Sequence, residues 1–398
     1  MTNAGTITGA GKIVVDPTTF TNIGYTNIQV DLDASGLSNT STGTIKVAGT
    51  AVYGYGGASY VTNTGIVDGT GTSGVGVDFK SGGTITNGAT NATGALIEGN
   101  TYGVEATGTA ATVSNFGTVQ VTGVGSGIFL QSGGNVTNIG SAAYIHGIAI
   151  FGQGSVSNAG SVFGGAEAIS LGSGTVNNLA GGRLVGGTFG VEAVVGAATI
   201  SNAGTIDGTG TAGMGVYLAA GSVANTGTAA YIGGGLYGVK FETVAGTVTN
   251  YGTVAGNRYG IFLLHGGSVT NSGTASLISG SLTGAAGDLA ATTLSNAGTI
   301  VGSTGAGVEF AAGGSLSNSG LIKGGADGVF IDALGATVVN SGTISGTLGF
   351  GVEFLASGYV VNGSTSGTAA LISGGTVGVN LAGTGTNFGT IEGTSVGV

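Results

Sequence analysis

The sequence predicts an all-β solenoid in which the chain winds through three short strands per coil, for about 17 coils of about 23 residues each. Three observations predict it. A phrase of the form Ser/Thr-Val/Ile-Ser/Thr-Asn-x-Gly-Thr recurs along the chain, apolar and polar residues alternate over spans too short for a helix, and 90 of 398 residues are glycine with a single proline, Pro17. The clearest copies of the phrase start at Thr112, Ser155, Thr199, Thr247, Ser268, Thr293 and Ser315. A fixed period in the twenties marks units that bury their apolar face only against their neighbours.

Composition excludes the other glycine-rich states. Collagen needs glycine at every third position and abundant proline. Disorder needs high charge and low hydrophobicity, whereas only 6% of these residues are charged and 41% are hydrophobic. No composition shift or charge run divides the chain, so we expect one continuous elongated domain, with residues 1–60 as irregular first coils and residues 61–398 as regular repeats. Both ends fall mid-repeat, at Thr2-Asn3-Ala4-Gly5-Thr6 and at Val396-Gly397-Val398, and neither has the polar character of a capping unit. The expectation is a segment truncated at both ends, its export signal and anchor lying elsewhere.

Three strands are expected in every coil. The first is the landmark triplet with an inward apolar residue (Val113, Val156, Ile200, Val248, Val269, Leu316) between outward hydroxyls. The second follows a turn as Thr-Ile/Val (Ile206, Val254, Ile300, Ile344, Ile391). The third is an apolar-x-apolar triplet such as Val77-Asp78-Phe79, Ile128-Phe129-Leu130, Val216-Tyr217-Leu218, Val239-Lys240-Phe241 or Val352-Glu353-Phe354. Stacked about 4.8 Å apart, the coils form parallel sheets along a rod of roughly 80 Å. Glycine and asparagine are expected to supply left-handed backbone at three corners per coil. Asn115, Asn138, Asn158, Asn178, Asn202, Asn225, Asn250, Asn271, Asn296, Asn318 and Asn340 should stack at one corner as a structural amide ladder.

In these repeats the chain resembles the passenger region of monomeric autotransporters and the related filamentous adhesins of two-partner secretion, chiefly over residues 60–398. Pro17 and the Asp31-Leu32-Asp33 segment depart from the pattern. The resemblance implies a single-stranded, right-handed parallel β-helix exported across a Gram-negative outer membrane, with a signal peptide and a membrane anchor domain expected outside this segment. It also fits the absence of cysteine, because a chain threaded through a narrow pore cannot carry disulfides made beforehand.

Function follows less directly. Seventeen acids against seven bases give a net charge of -10, which argues against nucleic acid and anionic membrane as partners. Without cysteine there is no thiol chemistry and no Cys-based zinc site, and no calcium nonapeptide, metal-ligand set or cofactor motif is present. The two histidines, His146 and His265, stand about five coils apart in sequence, too far to share a catalytic constellation. Asp78 and Glu105 hold the same outward position in consecutive coils; they are the best carboxylate pair for a glycosidase or a cation, but their rank continues through Phe129, Ala149, Ser170 and Glu192 as a variable solvated face.

Two outward faces are candidate binding surfaces. The hydroxyl pairs of the first strand (Thr84 and Thr86, Ser155 and Ser157, Thr247 and Thr249, Thr293 and Ser295, Ser315 and Ser317) form a flat array of the kind ice-binding solenoids use, interrupted by Asn135, Ala224, Val339 and Tyr359. On the third strand, Phe129, Tyr217, Phe262 and Phe330, joined by Arg258 and Tyr259, present aromatics on an otherwise small-residue surface. The expectation is a non-enzymatic, extracellular structural and adhesive stalk of a bacterial surface protein. Its partners would be a host or neighbouring-cell protein or glycan, or its own copies laterally, with membrane contact only through the missing anchor. The alternatives are a carbohydrate-active β-helix and an ice binder.

Overall fold

The computed structural model describes all of residues 1–398. The chain is an all-β parallel β-solenoid of about 18 coils, with about 22 residues and three strands per coil and no helix, one coil more than the period predicts. Two compact units divide it, Met1–Gly196 and Ala197–Val398.

In the second unit one coil runs through Gly246–Asn250, Thr253–Gly256 and Tyr259–Leu263. Each strand pairs in parallel with its equivalent one coil on: Val248 with Val269, Val254 with Ile278, Ile261 with Ala285. Like residues therefore stack on like. Val248, Val269, Leu294, Leu316 and Val338 form one interior column and Val254, Ile278, Ile300, Ile322 and Ile344 another, all essentially inaccessible to solvent. Each such side chain contributes roughly 1.5–3 kcal/mol of burial, which holds together a coil too small to have a core of its own.

The first unit repeats the plan, as in Ala111–Asn115, Thr118–Val121 and Ser126–Leu130. Its opening residues keep the same pairing despite their looser sequence: Asn3 lies opposite Asn22, Asn22 opposite Asn39, and Asp31 falls between Val14 and Tyr53. In some coils the third and first strands run together without a break, as in Ile148–Asn158 and Glu167–Asn178 of the first unit and Met214–Asn225 of the second.

The corners differ from the expectation. Left-handed backbone is confined to glycine and to Ala34, so the asparagines do not supply it. Many of the left-handed glycines sit at the corner between third and first strands, as Gly266 (φ 70°) and Gly267 (φ 129°) do. At the corner between first and second strands the bend is made by a side chain: Asn250 Oδ1 accepts the N–H of Gly252 at 3.2 Å, an Asx turn that leaves Asn250 itself in extended backbone. Gly252 is required there for room, since a Cβ would lie 2.2 Å from the Ala230 carbonyl oxygen of the preceding coil.

The asparagines from Asn3 to Asn362 are buried at this corner, and Asn387 at the end of the ladder is exposed. In the first unit each donates from Nδ2 to the next Oδ1, from Asn3 through Asn22, Asn39, Asn63, Asn87, Asn115, Asn138 and Asn158 to Asn178, at 2.7–2.8 Å. In the second unit the same relay runs from Asn202 through Asn225, Asn250, Asn271, Asn296, Asn318, Asn340 and Asn362 to Asn387 at 2.8–2.9 Å. Asn3 to Asn87, Asn362 and Asn387 extend the ladder beyond the residues picked from the landmark phrase.

Candidate functional site

The third strand turns two outward positions to each coil, one at its start and one next to its final inward residue. In the first unit the latter rank runs Val14, Asp31, Tyr53, Asp78, Glu105, Phe129, Ala149, Ser170. The solvated face expected from its variable residues is not uniform: Asp31 and Asp78 are only 5% and 6% exposed. Each is held by a lysine two positions away or one coil back. Lys12 Nζ lies 2.9 Å from Asp31 Oδ2 and 5.7 Å from the Tyr53 ring centre, and Lys80 Nζ lies 2.9 Å from Asp78 Oδ1.

Asp78 and Glu105 face each other across adjacent strands. Burial pushes the Asp78 carboxyl above its ordinary range, opposed by the hydrogen bond and charge of Lys80. Burial, then the charge of Asp78, raises Glu105, again opposed by Lys80. The arrangement is a desolvated carboxylate pair with one lysine as counterion. Beyond it, Tyr102 stacks on Phe129 at 4.7 Å and Phe129 meets Phe151 edge-on at 5.4 Å, Phe151 being 62% exposed.

In the second unit the rank runs Tyr217, Lys240, Phe262, Ala286, Glu309, Phe330, Glu353, Asn380. The other outward rank runs Met214, Tyr237, Tyr259, Thr283. Together they build an aromatic cluster around one lysine. The rings of Tyr237 and Tyr259 are 5.5 Å apart and nearly parallel at 6°, and Phe262 lies 5.7 Å from the first and 5.1 Å from the second. Lys240 Nζ is 5.3 Å from the centres of both Tyr217 and Tyr237 while it pairs with Glu242. The guanidinium of Arg258 lies 5.3 Å from the Tyr259 ring. Burial, then the charge of Glu309, raises the Tyr259 phenol, while Arg258 opposes the rise.

Next to the cluster the face drops into a pocket of about 210 Å³ over Ala286 and Gly287, walled by Tyr259, Phe262, Arg258, Asp288 and Glu309. Thr283 donates to Glu309 Oε2 at 3.0 Å. The structure thus joins Tyr217, Arg258, Tyr259 and Phe262 of the expected surface into one site. Phe129 belongs to the first unit, and Phe330 follows Glu309 beyond the pocket. Arg258 occupies the corner, but Tyr259 is the first residue of the strand and not of the loop before it.

Tyr237 lies outside the expected surface, although the sequence carries a signal for it. An aromatic residue directly before Gly-apolar-x-apolar recurs at Tyr102, Phe189, Tyr237, Tyr259 and Phe350, and it fills the first outward position of the strand.

The remaining candidates are simpler. His146 lies in the first unit, beside Glu167 in a glycine-lined pocket of about 450 Å³, and His265 in the second, its Nδ1 2.9 Å from the Glu242 carbonyl oxygen. No three His, Asp or Glu side chains converge on a point where an ion would sit. The hydroxyl ranks align from coil to coil, Thr84 with Thr112 and Thr247 with Ser268, and lie exposed or half-exposed.

Compared with family models, with curated proteins and with solved structures, the chain finds no match.

Proposed function

We propose that this chain is a non-enzymatic structural and adhesive β-solenoid segment of a bacterial surface or secreted protein, which holds outward side chains of successive coils as one multivalent binding face. The observation that carries the reading is the cluster of Tyr217, Tyr237, Lys240, Tyr259 and Phe262, assembled from three consecutive coils with about one coil spacing between equivalent rings. Such a face is fixed in advance by a backbone that pairs from coil to coil, so little ordering cost attends contact. Many weak contacts of this kind add up when they are carried on one scaffold.

Exposed apolar residues support the same reading. Val244, Leu289, Leu334 and Leu355, at the corner after the third strand in the second unit, are all more than half exposed, as contact surfaces often are. Export to the cell exterior is supported by the resemblance to passenger regions and by a cysteine-free composition.

The experiment is adhesion. Beads coated with the purified chain should adhere to bacterial or epithelial cells, or cluster with one another, well above beads coated with an unrelated acidic protein. Equal adhesion of the two, together with release of reducing ends from a polysaccharide that is lost in Glu105→Gln, would replace the adhesive reading with an enzymatic one.

A further inference from the structure

We infer that the notch over Ala286 binds one pyranose ring of a neutral glycan chain, the ring laid against Phe262 and Tyr259 and its hydroxyls held by Arg258, Glu309 and Asp288. The inference rests on the adhesive reading above and names the ligand class it would serve.

The notch exists because one coil lacks a large outward side chain. Phe262 and Glu309 stand on either side of Ala286 in the same rank, two coil steps or roughly 10 Å apart, and a methyl group covers the gap between them. At about 210 Å³ the space is below the roughly 300 Å³ at which ordinary small-molecule pockets begin. It therefore takes one ring of a longer chain, and the rest of that chain runs over the exposed face. Phe262 and Tyr259 make one wall an aromatic surface, suited to the C–H face of a sugar.

Charge decides between ligand classes. Arg258 brings only donors, while Glu309 and Asp288 bring acceptors, so the rim carries both signs within a single pocket. A free anion meets two carboxylates there, and an ammonium group meets a guanidinium already seated 5.3 Å from the Tyr259 ring. A hydroxyl donates and accepts at once, and is the group that uses both kinds of rim residue. Glu309 has one oxygen fixed by the Thr283 hydroxyl, which orients the carboxylate and leaves Oε1 for a ligand.

The test uses the whole chain and a panel of soluble hexasaccharides: maltohexaose, cellohexaose, xylohexaose and mannohexaose. The protein has no tryptophan, so tyrosine emission reports on ligands near Tyr237 and Tyr259. At least one member should perturb it saturably. Ala286→Phe, which fills the notch, and Phe262→Ala, which removes its wall, should each weaken that binding about tenfold or more, and Phe151→Ala, an exposed aromatic of the first unit, should leave it unchanged. Circular dichroism identifies a misfolded variant; if Ala286→Phe misfolds, Phe262→Ala and Glu309→Gln decide. Absence of saturable binding across the panel, or binding indifferent to these changes, overturns the inference. A chain that adheres to cells but binds no hexasaccharide loses only the notch, and one that binds through the notch without adhering loses only the adhesive reading.

Discussion

Asn250 Nδ2 donates to Asn271 Oδ1 in the next coil at 2.8 Å, and the same nitrogen reaches Gly252 O at 2.9 Å in its own turn and Leu277 O at 3.0 Å beyond. One buried amide therefore closes its own corner and ties it to the following coil. Removing it leaves acceptors without donors in a site that water does not reach. Asn250→Ala should cost about 2–3 kcal/mol, read as a lower urea midpoint with faster hydrogen exchange in the rungs on either side. Asn250→Asp should cost more at neutral pH, because its carboxylate turns an oxygen toward three others, and should recover partly on acidification. Equal stability of Asn250→Ala and wild type would mean that the ladder follows the fold without supporting it.

The landmark glycine gives a steric counterpart. A Cβ on Gly252 would lie 2.2 Å from the Ala230 oxygen and 2.5 Å from the Gly227 oxygen, both backbone atoms of the preceding coil. These cannot turn aside as a side chain would. Gly252→Ala should thus lower stability, opposite in sign to the gain of about 0.4–1 kcal/mol that the same change brings where the backbone has room. Gly94→Ala is the control, since an added methyl group there would meet nothing within 4 Å and its φ is not in the left-handed region. A melting temperature for Gly252→Ala at or above wild type would remove the steric account.

What the letters conveyed about this fold was whatever repeats with the coil. Val248, Val254 and Ile261 occupy inward positions that alternation with polar neighbours identifies, and the landmark asparagine recurs with them. The role of that asparagine was harder to read. Its frequency in left-handed turns suggested a corner residue, whereas the side chain itself makes the turn and the backbone stays extended. Burial of Asp78 was also hidden, because alternation places it outward, whereas in the fold it pairs with Lys80 and is only 6% exposed. The cluster around Tyr237 depends on which residues fall opposite one another. That follows from the length of every intervening loop, so the partners of Phe262 emerge only when the coils are laid in register.

The carboxylate pair predicts a direction in pH. Asp78 and Glu105 ordinarily titrate near 3.8 and 4.5, and both are raised in the folded chain, first by burial. The folded state then binds more protons than the unfolded state over the window that opens at those values and extends upward. Their contribution to stability is therefore greatest below the unfolded values and falls as pH rises through the window. Glu105→Gln should flatten that fall and raise the melting temperature at about pH 8 more than at about pH 4. Lys80→Met, which removes the opposing cation, should steepen it. The difference between each variant and wild type is the quantity to follow, since other carboxylates titrate over the same range. Parallel profiles for Glu105→Gln and wild type would show that burial does not weigh on this pair.

The aromatic cluster offers a titration of its own. The Tyr259 phenol is raised by burial first and by the Glu309 charge second, while Arg258 pulls it down. Glu309→Gln should therefore lower the Tyr259 pKa and Arg258→Gln should raise it, with opposite signs from two residues that wall the same pocket. The ring carbon bearing the hydroxyl, followed by NMR in protein labelled at tyrosine, resolves this residue from Tyr237, which stacks on it at 5.5 Å. If both substitutions move the value in one direction, the dominant effect is a change in solvent access on loss of either side chain, and the charges of Glu309 and Arg258 do not converge on the phenol. Movement in opposite directions would place a positive and a negative group within electrostatic reach of one ring, the mixed rim on which selection of a hydroxyl-bearing ligand depends.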